Sequence, residues 1–381
     1  MTITPSPEKP VVHIVGLGSM GSILAMDLLE FTDAEVVPLF RNEQKLKSFQ
    51  IGHGSKLSTK RVYLSDSPVE TKQIQRSYCP SNYSGEHIKN LVVTTKTYQT
   101  TDALRPFLPY IDSETNLILI QNGLGVLESL SEGLFSDGVL SRPNLFQGVI
   151  AHGAFQESDF MFNYTCLADM KIARISWNGA EGLVQPSKIV VEDALNNELI
   201  RLLTQPAFSK EFVVKHMTYQ EMLIGQLYKF LVNSCINSIS AIVDCRNGEI
   251  IDNAKPVFSL IVKESLTILK LAYAPLFQYE QNYNGKEAFP FLKVDETFEF
   301  EPLVDTIFYL TCVLGEQSST SMREDTKHFR DTEIDYINGY VVSLAEKLGL
   351  GSDAVNVNRL VVELVNLRAG LNKRRANQIP V

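Results

Sequence analysis

The stretch QLYKFLVNSCINSISAIV, Gln226 to Val243, contains residues whose types and spacing could do chemistry. Lys229, Asn233 and Asn237 stand at i, i+4 and i+8, so on a helix they stack along one stripe with little drift. An ammonium so placed can stabilise negative charge growing on an oxygen and hand it a proton, while amides beside it fix a polar ligand. Lys229 is the only formal charge between Met222 and Val243, set among Leu227, Phe230, Leu231, Val232 and Ile236. A solvated face would carry several charges there, and Asn is a poor helix former because its amide competes for backbone bonds. The stripe therefore reads as a polar wall facing a cavity. The plain alternative is an amphipathic helix with a short polar face.

A carboxylate that could serve this lysine lies in RDTEIDYINGYVVSLAEKLG. On a continuous helix Glu333 shares the apolar face of Ile337, Val341 and Leu344, while Asp331 and Asp335 point elsewhere. An inward carboxylate needs a partner, and Lys229 is the natural one. The other reading is a Glu placed in a first helical turn by the helix dipole. Upstream, SSTSM closes on Ser321 and Met322 and could supply hydroxyl and backbone donors, although by itself it is only an N-cap signal.

A second constellation sits near the start of the chain. Gly16-x-Gly18-x-x-Gly21 follows the apolar run Val11–Val15 and precedes the apolar-periodic segment from Ile23 to Phe31. Strand, glycine turn and helix in that order let the backbone approach a pyrophosphate held at the helix N-terminus. The next run, Glu35 to Phe40, ends in Arg41 where an NAD enzyme usually places Asp or Glu. A guanidinium there can pair with a 2′-phosphate, so NADP is expected over NAD; otherwise Arg41 is an ordinary surface arginine. Lys96 follows LVVTT, and Asn122 follows LILIQ. Both fall at carboxyl ends of strands, the edge where open α/β sheets bind ligands, although an exposed Lys and a turn-forming Asn-Gly are ordinary there too.

The elements that must position these residues divide the chain in two. Apolar runs at Val11–Val15, Glu35–Phe40, Leu91–Thr95, Asn116–Ile120 and Gln147–Ala151 alternate with helix-compatible stretches, which predicts a mostly parallel, doubly wound sheet. Beyond about residue 217 strand signals fade. The segments 218–243, 255–275, 304–313, 322–348 and 353–372 favour helix. We expect an N-terminal α/β domain over 10–217 and an all-α domain over 218–381, with the boundary near Lys215–Thr218. Tyr273 to Pro302, dense in Phe, Tyr, Asn and Gly, reads as an ordered insertion at about 273–302.

Composition narrows the function. The 381 residues give room for roughly two domains, with 44% hydrophobic and 21% charged residues, as in soluble globular proteins. A net charge of −9 argues against nucleic-acid or anionic-membrane partners. Five scattered cysteines without a C-x-x-C pair suit a reducing compartment, and with no leader or spanning segment legible a cytoplasmic location is expected. The six histidines show no metal-ligand spacing, and neither G-x-S-x-G nor H-E-x-x-H occurs. His152, at a strand end, could touch a ligand, although a packed or solvated histidine is the expected reading.

GLGSMG, VVTTKTYQT, LILIQNGLGV, KFLVNSCIN and TEIDYINGY, in this order, resemble the ketopantoate reductase (2-dehydropantoate 2-reductase) family over Val11 to about Leu371, and most closely its longer, fungal-type members. The resemblance implies a Rossmann-like domain, a helical domain of the 6-phosphogluconate dehydrogenase C-terminal kind, and an active site in the cleft between them. It implies reduction of ketopantoate with NADPH, giving NADP+, on the route to pantothenate and coenzyme A. Gly16, Leu17, Gly18, Ser19, Met20, Gly21 and Arg41 would bind the cofactor, with Lys96 and Asn122 beside the nicotinamide half. Lys229 would be catalytic, with Glu333 at the lysine and the cofactor. Asn122, Asn233, Asn237, Asn247 and Ser321 would join Lys229 around the 2-oxo acid.

Two departures stand out. Ser318 occupies the place where many bacterial members carry Asn, and the segment 273–302 exceeds the compact bacterial pattern, offering a surface for a partner or a second subunit in a homodimer. Two other readings remain open: a reductase of another branched 2-oxo acid or a related amino-acid-forming dehydrogenase, and a non-catalytic NADP-binding protein. The set Lys229, Asn233, Asn237 and Glu333 counts against the last.

Overall fold

The computed structural model describes residues 9–136, 142–179 and 182–377. It divides into two compact units, one of residues 1–121 and 127–222, the other of residues 122–126 and 223–381. The division falls inside a helix, a few residues beyond Lys215–Thr218, and the short loop 122–126 groups with the helical unit.

Among the described residues the first unit has eleven strands: β1 Val11–Val15, β2 Glu35–Leu39, β3 Lys56–Arg61, β4 Val69–Gln73, β5 Asn90–Val93, β6 Asn116–Ile120, β7 Asn144–Ile150, β8 Gly153–Ser158, β9 Met161–Cys166, β10 Met170–Arg174 and β11 Val214–His216. Seven form one sheet in the order β11-β10-β7-β6-β5-β1-β2, parallel throughout except where β10 runs against β7. The strands read as apolar runs in the sequence because they are covered on both faces: β5 and β6 are buried at every position. Ile14, Ile23, Leu24, Leu28, Val92, Ile118 and Phe146 belong to the resulting core. Pro38 is tolerated because β2 is the last strand of the order, and the chain at Tyr78 covers that edge through Tyr78 N–H to Pro38 O and Phe40 N–H to Tyr78 O.

A second sheet, β4-β3-β9-β8, was not foreseen. Its strands are short and alternate buried with half-exposed positions, as in KLSTKR, so no apolar run announces them. A buried ion pair fastens it to the helix Ser19–Phe31. Arg61 Nη2 on β3 lies 2.5 Å from Asp27 Oδ1, with the guanidinium near the rings of Phe31 and Tyr164. Burial pushes the Asp27 carboxyl up to about 6, against the opposing pull of Arg61.

The helical unit contains most of Tyr219–Val243, followed by Ala254–Ala272, Phe300–Phe308, Ser321–Lys327, Asn338–Lys347 and Asn356–Asn377. Two expectations need correction. The segment 304–313 is the end of Phe300–Phe308 followed by a π-turn, Tyr309–Leu314. The segment 322–348 is not one helix. Ser321–Lys327 ends where Arg330 N–H and Nε–H donate to the backbone and carboxylate of buried Asp325, and Phe329 takes a φ of 57°. A single 3₁₀ turn, Ile334–Tyr336, precedes the next helix. The insertion is ordered: Tyr279 Oη donates to Pro290 O at 2.8 Å, and Asn284 closes two hydrogen bonds with Leu292.

Candidate active site

In the first unit the three glycines do different work. Gly16 has a φ of +100°, and a Cβ there would lie 2.6 Å from Thr95 N. Gly21 has no room either, since its Cβ would lie 2.2 Å from Gly16 O. Thr94 Oγ1 donates to that same carbonyl, so the end of β5 holds the turn in shape. Gly18 differs: nothing lies within 4 Å of its would-be Cβ. Helix Ser19–Phe31 begins there with no side-chain cap and no acidic residue in its first turn, leaving amides free for an anion. Leu17 and Met20 pack against the core and seat the turn.

This turn opens on a cavity of about 510 Å³ lined by Gly16, Leu17, Gly18, Phe40, Arg41 and Lys45, and also by Thr95, Gln99, Asp102, Pro106 and Phe107. Arg41 is exposed and forms no hydrogen bond or ion pair among the described residues. An open glycine, a bare helix start, a lining guanidinium and an apolar wall fit a dinucleotide. Lys96 follows β5 by three residues and is partly exposed, but it does not line this cavity. Gln121, which the sequence did not single out, ties the ends of β5 and β6 by donating to Thr95 O at 2.8 Å.

Lys229, Asn233 and Asn237 stand on one unbroken helix, Tyr219–Val243. Lys229 and Asn233 keep part of their surface accessible, and Asn237 is buried. Burial draws the Lys229 ammonium down to about 8, and the negative charge of Glu333 opposes that fall. Glu333 is only 4% exposed, while Asp331 and Asp335 are exposed, as the pattern required. Its backbone is not helical, however. With φ −91° and ψ 20° it caps the 3₁₀ turn, and Ile337, at φ −117° and ψ −100°, separates that turn from the helix that follows.

Neighbouring residues fix these groups. Asn338, wholly buried, donates to Ser234 O on the Lys229 helix at 3.2 Å and to Asn358 Oδ1 at 2.9 Å. The loop bearing Asn122 is fastened to the Glu333 segment: Leu124 N–H donates to Tyr336 O at 2.9 Å, and a Cβ on Gly123 would lie 2.4 Å from that oxygen. At the far end of the long helix, Ser240 Oγ and Thr320 Oγ1 are 2.7 Å apart. Thr320, not Ser321, caps the next helix by accepting from Arg323 N–H, which leaves the exposed Ser321 hydroxyl outside the cap. Asn247 N–H donates to Ser318 O at 3.1 Å, and its buried Oδ1 has no partner among the described residues. One unit thus brings together Lys229, Glu333 and the Asn122 loop, and brings Asn247 to the loop that leads into Ser321.

His152 is packed, with Nε2 donating to Phe212 O and Nδ1 accepting from Ala168 N–H. Among the described residues no cluster of His, Cys, Asp or Glu could hold a metal, and no helix is long and apolar enough to cross a membrane.

Family models for ketopantoate reductase PanE/ApbA match residues 12–177, and for its C-terminal part residues 221–369. The chain is 49% identical to a 2-dehydropantoate 2-reductase of Saccharomyces cerevisiae, over 97% of each chain. The chain belongs to the ketopantoate reductase PanE/ApbA family. A probable 2-dehydropantoate 2-reductase of Schizosaccharomyces pombe is 34% identical, over 96% of this chain and 98% of that one. Among solved structures, a probable 2-dehydropantoate 2-reductase of Bacillus subtilis superposes with a TM-score of 0.63 at 20% identity, covering 94% of this chain and 99% of that one. A D-mandelate dehydrogenase with NADH and anilino(oxo)acetate reaches 0.69 at 17% identity, covering 95% and 99%. At such identities the fold is what is shared, and it is the one described above: a mixed α/β sheet unit followed by a helical unit.

Proposed function

We propose that the chain is an NADPH-dependent reductase of 2-dehydropantoate, forming (R)-pantoate on the route to coenzyme A, with Lys229 as the general acid. The observation that carries the reading is the pairing of a desolvated Lys229 with a buried Glu333. An ordinary lysine amine holds its proton too tightly to be a good acid at neutral pH. At about 8, Lys229 stays mostly protonated yet gives the proton up readily. Its Nζ would stabilise the charge on the carbonyl oxygen and then protonate it, with Glu333 keeping the ammonium charged. Asn233, Asn237, Asn247 and Ser321 would hold the carboxylate and hydroxyl of the substrate, with Asn122 alongside. Bound NADPH would supply the hydride. Gly16 to Gly21 would seat its pyrophosphate, Arg41 its 2′-phosphate, and Lys96 would stand by the nicotinamide half. The S. cerevisiae and S. pombe relatives support the substrate, and Arg41 lining the cavity supports NADPH.

The test is NADPH oxidation followed at 340 nm with ketopantoate, run beside NADH and a panel of branched and aromatic 2-oxo acids. The panel is needed because the same fold carries a mandelate dehydrogenase. Fast turnover with NADPH and ketopantoate is expected. Turnover of another 2-oxo acid in its place would overturn the substrate, and preference for NADH would overturn the reading of Arg41.

A further inference from the structure

The cavity beside the glycine turn contains a second cation that no motif announces. Lys45 lies on the short helix Glu43–Lys47, whose N-cap Asn42 accepts from Lys45 N–H, and it lines the same cavity as Arg41. Its Nζ is 3.3 Å from Asp159 Oδ1 and 4.7 Å from the centre of the Phe160 ring. Phe160 is 3% exposed and packs against Phe49 and Phe40, with ring centres at 4.8 and 6.1 Å. The turn between β8 and β9 is thereby anchored in the core and presents Asp159 to Lys45 from fixed backbone. Both members of the pair remain solvent-accessible, so their attraction is weak and easily exchanged.

A ribose 2′-phosphate carries nearly two negative charges at neutral pH, more than one guanidinium balances. We propose that Lys45 is the second residue that reads the 2′-phosphate, with Asp159 competing against the phosphate for the same ammonium. Arg41 would bind through its planar fork and Lys45 as a point charge. Asp159 would then tune selectivity. It weakens NADPH by occupying Lys45 and has no phosphate to compete with when NADH binds. This proposal rests on the NADPH reading above.

The experiment is calorimetric titration of adenosine 2′,5′-bisphosphate, NADPH and NADH into wild type, Lys45→Ala, Asp159→Asn and Arg41→Ala. Lys45→Ala should weaken the bisphosphate and NADPH by about 3- to 10-fold and leave NADH unchanged. Asp159→Asn should act in the opposite direction, tightening the phosphorylated ligands by about 2- to 5-fold. A purely structural ion pair would give losses of the same sign from both variants, for all three ligands, and would overturn the proposal. So would an unchanged bisphosphate affinity in Lys45→Ala while Arg41→Ala loses it, a result that leaves the NADPH reading standing. If wild type binds NADH as well as NADPH and does not bind the bisphosphate, the NADPH reading falls and this one with it.

Discussion

Replacing Glu333 with Gln removes a buried charge and keeps the shape of the side chain, so it isolates what the carboxylate does to Lys229. Desolvation draws Lys229 down to about 8 even though Glu333 holds it up. Without that carboxylate nothing offsets the desolvation, and the midpoint for loss of the Lys229 proton should fall further, by about 1 to 3 pH units. At pH 7.5 a group with a midpoint near 8 is about three-quarters protonated. A fall of about 1 unit lowers the protonated fraction roughly 3-fold, and a fall of about 3 units lowers it by more than 100-fold. The assay is the pH dependence of kcat/KM for ketopantoate between pH 5 and 9, with NADPH saturating. Wild type should lose activity on the alkaline side near pH 8. Glu333→Gln should lose it at lower pH and recover much of the deficit as the assay is acidified towards pH 5.5. A uniform loss at every pH, or a midpoint moved upward, would refute the electrostatic role of Glu333.

Lys229→Ala should reduce kcat by about 10²- to 10⁴-fold, and Lys229→Met should be as inactive. The folded-state value of Lys229 is depressed, so the stability cost is fully present below about pH 8 and is relieved as pH rises towards the ordinary value of 10.5. Wild type should accordingly gain Tm relative to Lys229→Met as pH rises above 8, and thermal melts across that range read it. Arg41→Ala should raise KM for NADPH several-fold and leave KM for NADH in place; an unchanged preference in steady-state kinetics removes Arg41 from the site. Gly18→Ala should melt like wild type but bind NADPH weakly, because its Cβ meets only open space, whereas Gly21→Ala should lose stability as well. Melts and cofactor titrations of both variants separate the two effects.

Much of this was legible because it rests on local rules. β1, β5, β6 and β7 are covered on both faces and therefore write themselves as apolar runs. The glycine turn shows its spacing, and the long helix shows a lone lysine aligned with two amides. The inward face of Glu333 was also legible, since burial leaves an apolar pattern whatever the backbone does between its members. The break around it was not. Neither Gly nor Pro precedes Glu333 between Met322 and Thr332; the helix ends on a left-handed Phe329, a residue that does not announce that conformation, with Arg330 closing back onto Asp325. The second sheet stayed hidden because half-exposed strands of mixed polarity look like loops. Lys45 looked like any surface lysine, for its partner Asp159 lies 114 residues away.

The residues proposed to do chemistry are held in place with the help of their neighbours. Lys229 is partly accessible, Ser321 is exposed, and Asn247 keeps a buried oxygen unpaired among the described residues. Their positions come from neighbours one to a few residues away: Asn338 grips the helix of Lys229 at the Ser234 carbonyl, Tyr336 O holds the Asn122 loop, and Thr320 meets Ser240 beside Ser321. That separation has a physical basis. A polar group already committed to a strong internal hydrogen bond cannot also meet a ligand at full strength, and a group left uncommitted cannot fix its own geometry. Assigning fixation to Tyr336 and Thr320 leaves Asn247 Oδ1 and the exposed Ser321 hydroxyl uncommitted among the described residues. The same division explains why TEIDYINGY and SSTSM matter as whole strings. TEIDYINGY carries Glu333 with Tyr336 and Asn338, which hold the Asn122 loop and the Lys229 helix, and SSTSM carries Ser321 beside Thr320, which meets Ser240.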